Sequence, residues 1–167
     1  NVHTLQPPVL DRKDWAQRDA AGEVQMNYGT HFSCCVNSGW REHFFDQLDA
    51  LTRFDIDGVF LDGPCIMGRG CYCEACRALF RGRTGRELAD ASADELFDFN
   101  AASLDRFLTE AYRRFKAAKP DGVLYNNLPA IRSRDSHYLL PQALACNDLV
   151  GTEAGFQFYS PPSTAYL

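Results

Sequence analysis

The sequence predicts an α/β fold of parallel strands joined by crossover helices. Within that class it predicts a central fragment of a (β/α)8 TIM barrel, forming a single domain over residues 1–167. Three observations carry this expectation. From Trp40 onward amphipathic helices alternate with short apolar runs, the order that parallel strands with crossover helices produce. Each apolar run ends in polar side chains: Asp62, then Asn126 and Asn127, then Glu153. Parallel α/β folds, barrels above all, gather their active sites at those carboxyl ends. Finally, 167 residues fall short of the about 250 of a closed barrel. The chain opens on Asn1 without a methionine and closes on "SPPSTAYL", so both ends are expected to be cut from something longer.

Taken in order, residues 1–39 are turn-rich and show little periodicity, a long loop of the kind that is usually functional. In "WREHFFDQLDALTRF" Trp40, Phe44, Leu48 and Leu51 recur at helical spacing and predict an amphipathic helix. "DGVFLDGP" is an apolar run between turn signals and reads as a buried strand. "EACRALFRGRTG" is a short helix stopped by glycine. Ser92 and Glu95 then form a capping box, with Phe97, Leu104, Leu108, Tyr112 and Phe115 along one face of the following helix. "KPDG" ends it. "GVLYNN" is the second strand, "SHYLLPQALACN" a weaker helix broken by Pro141, and "DLVGTE" the third strand. With only these strands, sheet edges stay unpaired, and the isolated chain is expected to fold poorly. Asp-Gly and Asn-Asn at a single strand end would read as turn chemistry. Three strands ending this way, two of them in a carboxylate, favour function.

A formal net charge of −5 argues against nucleic acid or an anionic membrane surface as the main partner. No run of about 18 apolar residues is present to span a bilayer, and no signal peptide is visible. The seven cysteines are clustered rather than spread as an evenly paired disulfide framework. That pattern leans to metal ligation, a reducing compartment and hence a cytoplasmic location. An oligomer is compatible with the sequence.

"GCYCEACRALF" places Cys71, Cys73 and Cys76 at the mouth of a helix. Three thiolates can reach one ion, and tetrahedral zinc needs a fourth ligand. Cys35 and Cys65 are the candidates, with Cys34 a poorer one. A structural zinc would tie the loop after the first strand to the loop before the preceding helix. The alternative is a redox device, since Cys73 and Cys76 formally match a Cys-x-x-Cys motif, but Cys71 and the missing thioredoxin context count against it.

"CYCEACRALFRGRTG" is similar to the zinc-binding segment of bacterial β-galactosidases of glycoside hydrolase family 42. "DWAQRDAAGE…CVNSGWRE" also resembles theirs, and the resemblance covers roughly residues 14–85. It implies that the cysteine before the Asn37–Ser38 turn, Cys35, is the remaining zinc ligand beside Cys71, Cys73 and Cys76. "DIDGVFLDGP…CYCEAC" and "DLVGTEAGF" more closely resemble the hypothetical glycosyl hydrolase family 6 proteins. These are similar to barrel glycosidases including α-L-fucosidases, in which a strand ends in leucine-aspartate-glycine and that aspartate is the nucleophile. Family 42 enzymes carry an aspartate-asparagine-glutamate pattern at the strand before the zinc loop, and the glutamate is their acid/base. Here Asp62, Gly63 and Pro64 stand there, so that route is excluded.

What the resemblance implies is a glycosidase acting on a carbohydrate, with Asp62 as nucleophile. Glu153, the other strand-end carboxylate, is then expected as acid/base; retaining glycosidases hold two such groups about 5–5.5 Å apart. Glu153 beside Ala154, Gly155 and Phe156 would sit in a partly apolar wall, which suits an acid. Asn37, Asn126 and Asn127 are candidates for hydrogen bonds to sugar hydroxyls. Trp15 and Tyr159 are candidates for stacking on a sugar ring, with core packing an equal alternative for Trp15. Two other readings stand beside this one: a carbohydrate-binding barrel without catalysis, and a zinc or redox module whose cysteine segment is itself the function.

Overall fold

The computed structural model describes residues 4–5, 12–27, 29–63, 65–66, 70–127 and 145–149. Its first part corrects the expectation of a long irregular loop. Strands β1 (Thr4–Leu5), β2 (Met26–Asn27) and β3 (His31–Ser33) form an antiparallel sheet in the order β1-β3-β2. The ladder continues past the strands through the Ala16–Cys34 and Arg18–Val24 bridges. Strands of two or three residues are too short for period-two alternation to show, which is why the sequence pattern misses them.

The remainder is mixed α/β, as expected. Helix α1 (Trp40–Leu51) leads to β4 (Gly58–Leu61); α2 (Glu74–Thr84) and α3 (Ala93–Ala118) then carry the chain back to β5 (Val123–Asn126). Strands β4 and β5 pair in parallel, Gly58 opposite Val123 through Leu61 opposite Asn126. A parallel pair needs such a crossover because no tight turn can reverse the chain twice. The capping box at the start of α3 is formed: Glu95 N donates to Ser92 Oγ at 3.2 Å, and Ser92 N donates to Glu95 Oε2 at 2.8 Å.

Helix α1 buries Trp40, Phe44, Phe45 and Leu48 against α3, while Leu51, expected on that face, is exposed. Phe107 is the hub. Its ring lies 5.2 Å from Trp40, 4.8 Å from Phe44 and 5.1 Å from Phe45. On α3 itself Leu104, Leu108 and Phe115 are buried as expected, but Phe97 and Tyr112 are only half-buried. The buried arc is wider than a single stripe. Leu96, Phe99, Asn100 and Ser103 turn the first half of the helix toward α2 and the cysteine loop, and Phe99 meets Phe80 edge-on at 5.5 Å. The second half faces α1.

The β4 strand, expected to be buried, is covered on one face. Leu61 and Leu124 are buried beneath the helices. Phe60 is 48% exposed on the opposite face, its ring 4.9 Å from that of Tyr125 on β5. Gly58 has a steric role, since a Cβ there would lie 2.4 Å from the Val123 carbonyl oxygen. Gly58→Ala is therefore expected to push β4 off β5 and cost about 1–3 kcal/mol, read as a lower midpoint in denaturant melts.

Of the third expected strand, only Asp148 and Leu149 are among the described residues, and they form a bend. The bend is docked on β5: Asp148 N donates to Leu124 O at 2.9 Å, and Leu124 N donates to Asp148 Oδ2 at 2.9 Å. The Leu124 amide, helped by Tyr112 and Lys116, holds the Asp148 carboxyl below the usual range. No helix among the described residues is long and apolar enough to cross a membrane.

Candidate functional site

Two constellations flank the loop that follows β4. The first is made of sulfur. Cys73 is the N-cap residue of α2 in an extended conformation, so Cys71 and Cys73 precede the helix and Cys76 lies in its first turn. Cys35 enters from the end of the antiparallel ladder, where its amide donates to Trp15 O at 2.8 Å. The loop is held from both sides. Gln25 Nε2 donates to Gly70 O at 2.8 Å, and Tyr72 N donates to Arg18 O at 2.7 Å. Gly70 has φ +108°, and a Cβ there would lie 2.5 Å from Asn100 Nδ2, so only glycine lets the loop lie against α3.

The Sγ atoms of Cys35, Cys71, Cys73 and Cys76 all lie within 4.8 Å of one another, and all four residues are buried. Cys35 and Cys76 approach to 3.4 Å. A disulfide would require about 2.05 Å, and the four are free thiols. Four sulfurs at about 2.3 Å from a tetrahedral zinc stand about 3.8 Å apart, so the spacing fits a bound ion. A set of four thiolates suits soft or borderline metals rather than magnesium or calcium. Cys35, not Cys65, completes the group.

The thiols of the group are shifted in opposite directions. Hydrogen bonds from Cys35, Cys71 and Cys76 hold Cys73 far below the ordinary thiol range. Hydrogen bonds with Cys71, Cys73 and Cys76, and then burial, push Cys35 well up. Cys76 is lowered by Cys35, but Cys71, Cys73 and burial outweigh that and raise it. Burial alone pushes the outlying Cys34 up to about 12.

The second constellation sits at the carboxyl ends of the parallel strands. Asp62 follows β4 and Asn127 follows β5, and Asn127 Nδ2 donates to Asp62 Oδ1 at 2.9 Å. The ladder continues beneath them, Asn127 N donating to Leu61 O at 2.8 Å. By strand periodicity Asp62 and Asn127 share the face of Phe60 and Tyr125. Cys65 is close by: burial, and then the Asp62 charge, raise its thiol to about 11.

The other candidate residues are placed as follows. Asn126 is fully buried, its Nδ2 donating to Asn147 Oδ1 at 2.9 Å, so its side chain anchors the 145–149 bend. Asn37 stands against the sulfurs: its Nδ2 lies 3.3 Å from Cys76 Sγ and 3.0 Å from Ser103 Oγ. Trp15 is 6% exposed and packed in the core, with the Arg12 guanidinium 4.0 Å above its ring and His43 at 5.1 Å. Glu153 and Tyr159 lie outside the described residues. Sequence reasoning missed Gln17, fully buried, whose Nε2 donates to Cys34 O at 2.9 Å and to Cys65 O at 2.7 Å. It ties the cysteine ladder to the loop after Asp62. A glutamine in a short irregular stretch carries no pattern that would have revealed it.

No known family profile matches the sequence, and no curated protein matches it. Solved structures do. Alpha-L-fucosidase isoenzyme 2 from Paenibacillus thiaminolyticus aligns with a TM-score of 0.64 at 21% identity, over 82% of this chain and 20% of that one. The polyextremophilic beta-galactosidase from Halorubrum lacusprofundi aligns with a TM-score of 0.70 at 18% identity, over 92% of this chain and 29% of that one. The beta-galactosidase from Bacillus circulans sp. alkalophilus aligns at 0.67 and 15% identity, over 93% and 29%. The chain thus spans less than a third of the length of each. At these identities the likeness is one of fold: the chain shares the backbone architecture of a segment of glycoside hydrolases.

Proposed function

We propose that the chain is part of a glycoside-hydrolase-like (β/α)8 domain that cleaves a glycosidic bond, with Asp62 as nucleophile and Glu153 as acid/base. The observation that carries this reading is Asp62 itself. It ends a parallel strand, it is fixed by Asn127 from the adjacent strand end, and it lies where barrel folds place their chemistry. The hydrogen bond from Asn127 aims one carboxylate oxygen and so orients the group for attack on an anomeric carbon. Phe60 and Tyr125 on the same face offer an aromatic floor below it. The substrate class rests on the fold shared with a fucosidase and β-galactosidases.

In this reading Cys35, Cys71, Cys73 and Cys76 hold one structural zinc, whose contribution when bound is to cross-link the loop. The residues themselves join the antiparallel ladder, the loop and α2. That junction, with Gln17, holds Cys65, Gly70 and Tyr72 in place between Asp62 and α2. Burial opposes the redox alternative, because Cys35 is 1% and Cys73 3% exposed, whereas reactive cysteines need access. The test is a panel of aryl α- and β-glycosides, fucosides and galactosides first, offered to the full-length parent. Turnover of at least one is expected. Binding without turnover across the panel would instead support a carbohydrate-binding barrel.

A further inference from the structure

Resting on the reading of the four cysteines as a zinc centre, we infer that Asn37, Ser103 and Arg106 form a directed hydrogen-bond relay around it. Asn37 is the positioning residue for Cys76, and Arg106 the compensating cation.

The direction of the relay follows from counting hydrogens. Ser103 is 1% exposed, and its hydroxyl has one hydrogen and two acceptor sites. The hydrogen goes to Phe99 O at 2.8 Å. Its oxygen must therefore accept from both remaining neighbours, Asn37 Nδ2 at 3.0 Å and Arg106 Nη2 at 3.2 Å. That fixes the orientation of the Asn37 amide. Turned over, its oxygen would face an oxygen with no hydrogen to give. With one N–H committed to Ser103, the second N–H of the same nitrogen points to Cys76 Sγ at 3.3 Å. The Asn37 backbone amide also donates, to Cys35 Sγ at 3.4 Å. One residue thus gives an N–H to each of two sulfurs. Donation of this kind favours the thiolate form that a metal requires.

Charge supplies the second argument. Four thiolates around a divalent ion leave a net double negative charge in a buried place, which is costly without a counterion. Arg106 is half-buried at the far end of the relay. Burial lowers its pKa, and the like charges of Arg83 and Arg41 lower it further, while Asp105 and Cys76 oppose that. Arg106 thus brings a half-buried cation to the end of the relay through its bond to Ser103 Oγ at 3.2 Å. The relay also explains why Ser103 and Asn37, on α3 and in the turn before α1, are directed at each other.

The test measures zinc affinity of the full-length parent by competition with a chromophoric chelator, and the sulfur-to-cobalt charge-transfer band after cobalt(II) substitution. Asn37→Asp keeps the volume but replaces the donor by an anionic acceptor. It should weaken zinc by about 10- to 100-fold and shift the cobalt band. A smaller loss, or an unmoved band, overturns the proposal. Should that variant not fold, Arg106 decides: Arg106→Gln should weaken zinc and Arg106→Lys restore it, whereas equal affinity in the two overturns the proposal. Wild-type protein that binds zinc while the variants bind it equally removes the relay alone. Wild-type protein that binds none removes the relay and the zinc reading together.

Discussion

Asp62→Asn in the full-length parent is expected to lower turnover by about three to five orders of magnitude, or roughly 4–7 kcal/mol of activation free energy. The substitution is nearly isosteric, and its amide oxygen can still accept from Asn127 Nδ2, so the fold at the strand ends should be kept. What is lost is the anionic oxygen that forms the bond to the anomeric carbon, and no other group replaces it. The loss should therefore be similar for activated and unactivated leaving groups. Glu153→Gln should behave differently. An acid matters little when an aryl leaving group departs without a proton, so the effect on kcat/KM should be small for aryl glycosides and large for alkyl ones. The value of kcat should fall for both, because the same residue is the base for deglycosylation. Wild-type rates in both variants would refute the pair. A loss confined to Asp62 would leave the nucleophile standing and move the acid to another strand.

If the four cysteines hold zinc as proposed, removing it should have the largest effect on stability. Structural zinc in small peptides contributes about 10–16 kcal/mol of binding free energy, and here the four sulfurs join three separate parts of the chain. Elemental analysis is expected to give one zinc per chain, and chelation should lower the melting temperature and expose thiols to titration. Cys35→Ser should reduce the zinc content, while Cys65→Ser should leave it unchanged. Because every ligand must lose its proton, affinity should fall as the pH is lowered. Full zinc occupancy in Cys35→Ser would contradict the assignment.

The parts of the fold legible in the sequence were those with long periodic patterns. Helices α1 and α3 announce themselves through Trp40, Phe44 and Leu48 and through the Ser92–Glu95 box, and alternation alone gave the parallel pairing of β4 with β5. The small antiparallel sheet was invisible because its strands are too short to show a period and are held by bridges at Ala16 and Arg18. The cysteine group was legible in three of four members from local spacing. Cys35, which lies 41 positions from Cys76, followed only from a resemblance. Local spacing also missed Asn37 as a partner of sulfur, since that role depends on Ser103 on α3, which no sequence pattern links to it. Phe97 and Tyr112 are only half-buried because α3 turns two faces to two neighbours, which a single helical stripe does not show.

The central claim is that Asp62 attacks the sugar, and trapping the glycosyl-enzyme tests it most directly. A 2-fluoro glycoside bearing a good leaving group, of whichever sugar is turned over, slows hydrolysis of a covalent intermediate so that it accumulates. Peptide mass spectrometry of the inactivated parent should then find the sugar on the peptide that contains Asp62, with fragmentation assigning it to that carboxylate. A sugar attached to any other carboxylate, or an enzyme that turns over the parent glycoside without ever forming an adduct, would contradict the account.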